Sequence, residues 1–369
     1  MGQRTNNMKI TRKILRNTMQ AFLVFVYKFK FPYAPLPRML SVEVTQLCNL
    51  RCGMCFREEV NVEKANMPIN EFEQILAGFP RLKYLSLIGL GEIFMHSNLS
   101  EIIRIARAKS STVAITTNGT LLTEKNIGKL DGVGRIYVSI DSLNAERYKA
   151  IRGADLGCVI EGLKLLKQKM PHALLFVQTV MMKDNAVDLP DFPKFAKEVN
   201  ANGVSFLHIL PLNMEQDKMH FRNVDDADVL LNSALLSARE KNIELSLRPL
   251  RPKEKYCSYP WTMPYITLKG DIYACPFLCR NEEATSKEFY MGESIEVPNY
   301  QYKVGNIFKD DFKKIWNGED MQLLRKKLAG YWTNRELSLE ELLEKRRKVD
   351  LSDSFSYCEV CLFRWDCAC

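Results

Sequence analysis

Arg38-Met39-Leu40-Ser41-Val42-Glu43-Val44-Thr45 runs, two residues later, into Cys48-Asn49-Leu50-Arg51-Cys52-Gly53-Met54-Cys55. The first segment alternates apolar and polar residues, as a buried strand does. The second spaces three cysteines C-x3-C-x2-C. A tight loop with that spacing can wrap three thiolates around one corner of a cubic [4Fe–4S] cluster and leave the fourth iron without a protein ligand. An open iron can bind a substrate or cofactor, so the pattern points to chemistry. A zinc knuckle is the bland alternative, and it lacks a nearby fourth ligand.

Beyond the loop, strand-like and helix-like stretches alternate. Strands are expected at Tyr84–Ile88, Val113–Thr117, Arg135–Ile140, Leu174–Val180 and Val204–Ile209. Helices are expected near 69–78, 98–109, 123–130, 157–169, 189–199 and 226–241. Counting the strand at 40–45, this makes six β/α units, and such alternation implies a parallel sheet. Six units cannot close an eight-stranded barrel. The fold class is therefore α/β, a partial (β/α)6 TIM-like barrel, with catalytic groups expected at the C-terminal strand ends.

Those ends carry suitable chemistry. The second strand closes with Gly89-Leu90-Gly91-Glu92, small residues that permit close backbone approach beside a carboxylate. The third ends Thr116-Thr117-Asn118-Gly119, which is also an ordinary turn signal. The fourth ends Ser139-Ile140-Asp141-Ser142, with Arg152-Gly153 one short helix later. In this order the motifs resemble the radical S-adenosylmethionine (radical SAM) superfamily, from about residue 38 to the C-terminus. The resemblance implies that the iron held by Cys48, Cys52 and Cys55 chelates SAM. Gly89, Gly91 and Glu92 match a motif that is usually GGEP, with Leu90 and Ile93 departing from it. Asn118 is similar to that of the TNG turn that follows the corresponding strand in many family members, and Ser139, Asp141 and Arg152 become candidates for the ribose hydroxyls and the SAM carboxylate. Carboxylates accept from hydroxyls, and guanidinium pairs a carboxylate in a fork. The resemblance also implies one-electron cleavage of SAM to a 5′-deoxyadenosyl radical that removes a hydrogen atom.

The rhythm stops past residue 245. Arg248–Pro252 reads as a linker. Cys257 is followed by a hairpin, Pro264–Leu268 turning at Lys269-Gly270-Asp271 into Ile272–Ala274, with Cys275 and Cys279 behind it. Cys358-x2-Cys361-x5-Cys367-x1-Cys369 closes the chain. Cys257-x12-Gly270-x4-Cys275, the Val304–Ile307 and Phe312–Asn317 stretches, and Cys358-x2-Cys361-x5-Cys367 together resemble the SPASM extension, which carries auxiliary [4Fe–4S] clusters. The bland alternative is a zinc-ribbon pair. Two clusters with full cysteine ligation need four thiolates each, and the region offers seven: Cys257, Cys275, Cys279, Cys358, Cys361, Cys367 and Cys369. Either one cluster is complete or one of two has an open or non-cysteine position. The resemblance groups Cys257 and Cys275 with Cys369 or Cys279, and Cys358, Cys361 and Cys367 in a distal site.

Three regions result: a basic, apolar segment 1–37, the partial barrel 38–245, and the cysteine-rich extension 246–369. The chain has 369 residues, 46% apolar and 26% charged, enough for a large core without metal. Its net charge of +8, read as spread along the chain, gives no case for nucleic acid. Eleven cysteines, all but Cys158 in three clusters, without a signal peptide suggest a reducing, cytoplasmic setting. Lys9, Arg12, Lys13, Arg16, Lys28 and Lys30 surround the apolar run Ala21–Tyr27, seven residues against the roughly 20 that span a bilayer. Residues 8–30 are either an amphipathic helix on an anionic membrane or a helix packed on the barrel. Cys158 is expected as a small buried hydrophobe, and 335–350 as a solvated helix.

The expected function is hydrogen-atom abstraction from a small molecule, such as a sugar, aminoglycoside or nucleoside unit, giving oxidation, epimerisation or rearrangement. That expectation rests on the shortness of the segment before the barrel; a peptide or lipid-linked substrate is the alternative. The resemblance implies a flavodoxin or ferredoxin with its reductase as electron donor. The rivals are a non-catalytic Fe–S carrier and a zinc-stabilised binding module.

Overall fold

A computed structural model describes residues 22, 25, 26, 28–55, 57, 62–247, 256–279, 285–298, 302–331, 337–353 and 355–361. Cys367, Cys369 and the linker at 248–252 lie outside the described residues.

Seven strands follow one another in parallel: β1 (Met39–Glu43), β2 (Tyr84–Ile88), β3 (Val113–Thr117), β4 (Arg135–Ser139), β5 (Leu174–Met181), β6 (Gly203–His208) and β7 (Glu244–Ser246). The expected helices lie between them at Ile69–Ala77, Leu99–Lys109, Glu124–Ile127, Leu156–Lys169, Phe192–Glu198 and Ala227–Lys241. Their starts follow local chemistry. The Asp155 carboxylate accepts from Cys158 N–H at 2.9 Å, and Asn144 accepts from Arg147 N–H at 2.9 Å, so each caps an otherwise unpaired amide. Gly153, at φ 70°, ends the helix Ala145–Arg152 in the left-handed conformation. Leu99–Lys109 buries Leu99, Ile102, Ile103 and Ala106, the spacing of one apolar stripe against a sheet.

The seventh strand is an addition to the six expected. It has only three residues, with Glu244 and Ser246 exposed, too short and polar for a periodic signal. It crosses the boundary expected at 245.

The cysteine-rich extension does not stand apart. β8 (Tyr265–Ile266) pairs in parallel with β1, Ser41 opposite Tyr265 and Val42 opposite Ile266. β9 (Asp271–Tyr273) and then β12 (Lys303–Asn306) add antiparallel, completing one ten-stranded sheet in the order β12-β9-β8-β1-β2-β3-β4-β5-β6-β7. The hairpin expected around Lys269-Gly270-Asp271 is thus present, as the continuation of the barrel sheet. A Cβ on Gly270 (φ 76°) would lie 2.4 Å from the Phe308 ring, so its turn requires glycine.

A second hairpin, β10 (Thr285–Tyr290) and β11 (Glu293–Pro298), was not expected. Both turn residues, Met291 and Gly292, have positive φ, and the Asp217 carboxylate accepts from their amides at 2.9 and 2.6 Å. The helix Leu339–Lys348 corrects the expectation of a fully solvated segment. It buries Leu342 and Arg346, and the Arg346 guanidinium meets buried Glu288 at 3.1 Å. Tyr357 donates to the same carboxylate at 2.8 Å, while Arg346 donates to Val360 O at 3.0 Å. Cys158 is exposed, not buried, because its position on the first turn of Leu156–Lys169 faces away from the sheet side occupied by Leu156, Val159 and Leu163.

The segment 31–35 is held to the C-terminal part of the chain. Trp261 donates to Phe31 O at 3.3 Å, Arg325 to Pro32 O at 2.9 Å, and Trp316 to Pro35 O at 2.9 Å. Asn317 closes both sides of Ala34, accepting from its N–H at 3.0 Å and donating to its C=O at 2.9 Å.

Candidate active site and auxiliary cysteine site

The C-terminal ends of β1 to β6 surround a cavity of about 310 Å³. Cys48, Cys52 and Cys55 line one side, with Gly89, Gly91, Glu92, Asn118, Ser139 and Arg152 around them and His208 on the wall from β6. Every sequence-expected site residue of the barrel except Asp141 is therefore brought to one cavity.

The cysteine loop is fixed by main-chain contacts. Gly53 N–H donates to Ile151 O at 3.0 Å, tying the loop to the helix that carries Arg152, and Cys55 N–H donates to Cys52 O at 3.0 Å. Burial pushes the Cys52 thiol up to about 11, opposed by the Arg152 charge, and it also pushes Cys55 up. Such thiols ionise when a metal centre takes their charge. Among the described residues no three His, Cys, Asp or Glu side chains form a single-ion site; a cluster needs thiolates spread over separate iron corners. Three cysteines on one cavity wall form a donor set that fits a [4Fe–4S] corner with one iron left for another ligand.

The glycines of Gly89-Leu90-Gly91 line the cavity and also leave room for the chain that leads into the cysteine loop. A Cβ on Gly91 would lie 2.5 Å from Leu47 O and 2.6 Å from Thr45 O; one on Gly89 would lie 2.7 Å from the Glu43 side chain. The close approach they permit is to the backbone leading into the cysteine loop. Glu92 N–H seals it by donating to Leu47 O at 2.7 Å. The Glu92 carboxylate accepts from Thr117 Oγ1 at 2.6 Å, Asn118 N–H at 2.6 Å and Phe94 N–H at 3.3 Å. It joins the ends of β2 and β3. Burial pushes its carboxyl up against the pull of these donors. Asn118 in turn donates to Asn49 Oδ1 at 2.9 Å, reaching back into the cysteine loop.

Asp141 is fully buried. One oxygen accepts from Arg152 Nε at 2.5 Å; the other accepts from Val180 N–H at 2.7 Å and Thr179 Oγ1 at 3.3 Å. Its carboxylate thus faces Arg152 and β5. Burial works against the Arg152 charge, but Asp141 and then Cys52 outweigh it and shift this guanidinium upward. Ser139 and Arg152 reach the cavity directly.

His208 was missed by sequence reasoning. It is buried, lines the cavity, and stacks on His220 with ring centroids 5.4 Å apart. His220 meets Tyr290 of β10 edge-on at 5.6 Å. The signal available was one histidine at the end of a strand already assigned to the barrel.

Cysteines of both clusters of the extension lie within reach of one another's charge. Burial pushes Cys257 up to about 12, helped by Cys361. Burial also raises Cys275, with Cys257 and Cys361 adding to it, and Cys358, with Cys361, Cys275 and Cys257 adding to it. These four thiols are therefore mutual neighbours, drawn from both cysteine clusters of the extension. Cys279 lies beside Tyr265, whose hydroxyl it helps to push up after burial and Glu43. In number, Cys257, Cys275, Cys358 and Cys361 match the four thiolates that one fully ligated cluster needs.

Comparison with known proteins finds family models over both cysteine-bearing regions. A model of the radical SAM superfamily matches residues 42–196, and one of the SPASM iron–sulfur cluster-binding domain matches residues 257–367. The chain is 26% identical over 296 residues to the tungsten-containing aldehyde ferredoxin oxidoreductase cofactor-modifying protein of Pyrococcus furiosus, covering 76% of this chain and 81% of that protein. It is 24% identical over 295 residues to the antilisterial bacteriocin subtilosin biosynthesis protein AlbA of Bacillus subtilis, covering 77% of this chain and 60% of AlbA. Among solved structures, Streptococcus suis SuiB bound to precursor peptide SuiA aligns with a TM-score of 0.61 at 17% identity, covering 80% of this chain and 68% of SuiB. That likeness shows the fold.

Proposed function

The chain belongs to the radical SAM superfamily and carries a SPASM domain, and from this premise we propose that it is an enzyme that opens an unactivated C–H bond in a peptide. Its cofactors are SAM, a [4Fe–4S] cluster and auxiliary [4Fe–4S] clusters. The observation that carries the proposal is the placement of Cys48, Cys52 and Cys55 on one wall of the cavity into which Asn118, Ser139 and Arg152 also reach. When bound there, the cluster and SAM together supply a 5′-deoxyadenosyl radical able to remove a hydrogen atom.

The chain's own residues hold and orient. Cys48, Cys52 and Cys55 would hold the cluster. Arg152 and Ser139 offer a guanidinium and a hydroxyl to the carboxylate and ribose of SAM. Asp141 acts through Arg152, fixing its guanidinium by the 2.5 Å contact. Gly89, Gly91 and Glu92 keep the cysteine loop seated, and Asn118 ties that loop to β3. The apolar wall of Leu87, Ile88, Val180, Leu207 and Ile209 limits water.

Peptide modification replaces the small-molecule expectation. AlbA is named for biosynthesis of a bacteriocin, and SuiB was solved with a precursor peptide. The shortness of the segment before the barrel carries no weight for the substrate; of its described residues, 31–35 are hydrogen-bonded to the C-terminal part of the chain. A cavity of about 310 Å³ is at the small end of ligand sites, roughly 300–1,000 Å³, and the cluster and SAM would take up much of it. A small-molecule substrate is the second reading, favoured by the P. furiosus relative, which is named for modifying a cofactor. Electrons would come from a flavodoxin or ferredoxin and its reductase. Among the described residues no helix is long and apolar enough to cross a membrane.

The test is anaerobic reconstitution with SAM and dithionite, read by mass spectrometry for 5′-deoxyadenosine and methionine. The parent releases both. A Cys48→Ala/Cys52→Ala/Cys55→Ala variant that cleaves SAM as fast as the parent sinks the proposal. Mass changes in a candidate peptide support the first substrate reading; changes confined to sugars or nucleosides support the second.

A further inference from the structure

Four aromatic side chains stand out from the surface within nine residues. Phe25 is 47% exposed, Phe29 61%, Phe31 41% and Tyr33 50%. Among the described residues they are the only large aromatic side chains so exposed. They form one cluster. The rings of Phe25 and Phe29 lie 5.0 Å apart, Phe25 and Phe31 5.9 Å, and Phe31 and Tyr33 6.0 Å. Lys28 Nζ sits 5.6 Å from the Phe29 ring, and both Lys28 and Lys30 are exposed.

The cluster is presented rigidly. Val26 is fully buried beneath it, and Phe31 N–H donates to Val26 O at 2.9 Å. Trp261, Arg325, Asn317 and Trp316 hold the carbonyls of Phe31, Pro32, Ala34 and Pro35. An apolar surface that is held in place yet left uncovered by the described residues marks an interaction site.

Charge says what covers it. Residues 1–42 contain the six cations named above together with Arg4 and Arg38, and no Asp or Glu. The chain has 52 Lys and Arg against 44 Asp and Glu, which leaves 44 of each in residues 43–369. The whole net charge of +8 therefore belongs to the segment that carries the aromatic cluster. This corrects the reading of a charge spread along the chain.

We propose that Phe25, Phe29, Phe31 and Tyr33, flanked by Lys28 and Lys30, seat the protein on an anionic phospholipid bilayer. Aromatic rings settle at the headgroup level, and lysines beside them reach lipid phosphates while their stems stay apolar. Basic residues next to an anionic leaflet add attraction that falls with salt. The contact is peripheral, on the same molecular body as the cavity, and does not depend on the identity of the substrate.

The test uses the full-length, anaerobically reconstituted protein in flotation with vesicles of phosphatidylcholine alone and of equimolar phosphatidylcholine and phosphatidylglycerol. The parent floats with the anionic vesicles and little with the neutral ones. Phe25→Ser/Phe29→Ser and Lys28→Glu/Lys30→Glu each lower the partition coefficient on anionic vesicles about tenfold or more, with melting temperature and iron content unchanged. Phe29→Ser alone, the most exposed position, gives a smaller drop if the double variant fails to fold. A parent that stays with neither vesicle overturns the proposal, as does a folded serine variant that floats like the parent. Equal binding of parent and serine variant to heparin and to anionic vesicles also overturns it, since cations alone would then account for the attraction.

Discussion

Replacing Gly91 by alanine adds one methyl group at the place where β2 meets the cysteine loop. The new Cβ would lie 2.5 Å from Leu47 O, 2.6 Å from Thr45 O and 2.9 Å from Leu47 N. All three are main-chain atoms, so no side chain can swing aside. Ordinary contact begins near 3.4 Å, and the loop must retreat by about 1 Å to reach it. Overpacking of this kind costs about 1–3 kcal/mol. The same retreat stretches the 2.7 Å bond from Glu92 N–H to Leu47 O, which is worth about 1 kcal/mol. The sum is about 2–4 kcal/mol, and Cys48 is the next residue along the loop. The assay is chemical unfolding of the apoprotein, with iron per chain measured after reconstitution. Gly128→Ala is the control, because a Cβ there meets nothing within 4 Å and the backbone is helical; it should change stability by no more than about 1 kcal/mol. Gly91→Ala should unfold more easily by about 2–4 kcal/mol and retain about four fewer irons, those of the cluster at Cys48. An alanine variant that matches the parent in both measurements refutes the assignment of this glycine to loop seating.

Three further outcomes follow from the geometry. If Cys257, Cys275, Cys358 and Cys361 share one cluster, Cys275→Ala and Cys358→Ala each lose about four irons per chain and the double variant loses no more; additive losses would restore the separate distal site. Arg346→Met leaves the Glu288 carboxylate buried with its ion pair broken, so denaturant unfolding should show a loss of about 3–5 kcal/mol; a loss under about 1 kcal/mol would contradict it. Burial pushes the Glu43 carboxyl up, against hydrogen bonds from Gln46, Leu90, Leu268 and Tyr265. Its folded-state pKa therefore exceeds the unfolded one. Its stabilising contribution is complete below the unfolded pKa and fades as pH rises through the folded value. Glu43→Gln has no such loss, so its stability relative to the parent should improve from acid to neutral pH; a flat difference would reject the shift.

The barrel was readable because its strands are short apolar-rich runs, several of them alternating, between helices with clear stripes. Tyr84–Ile88 and Val113–Thr117 were expected and are observed with those bounds. β7 was hidden because its three residues are half exposed, and β10–β11 because Met291-Gly292 is a weak turn signal. The joining of β8 to β1 has no local mark, since Ser41 and Tyr265 meet across 224 positions of chain. Site positions were legible as residue types at strand ends, but the direction of each side chain was not. Glu92 and Asp141 read as carboxylates at strand ends, and the structure shows their oxygens accepting from Thr117, Asn118, Arg152 and Val180. Cysteine spacing announced the auxiliary region, but which thiols face one another depends on a fold that brings Cys257 and Cys361 together.

A half-open barrel ordinarily leaves its first strand with a bare flank. Here β8 covers that flank of β1, and Ser41 N–H donates to Pro264 O at 3.0 Å. Cutting the chain after residue 247 would strip this cover and expose a row of unmatched peptide groups that invites self-stacking. The cysteine-rich portion is thus no detachable accessory. Among the described residues, the two halves share a single backbone lattice, so the cysteines behind β1 and those behind β9 are carried by strands of the same sheet.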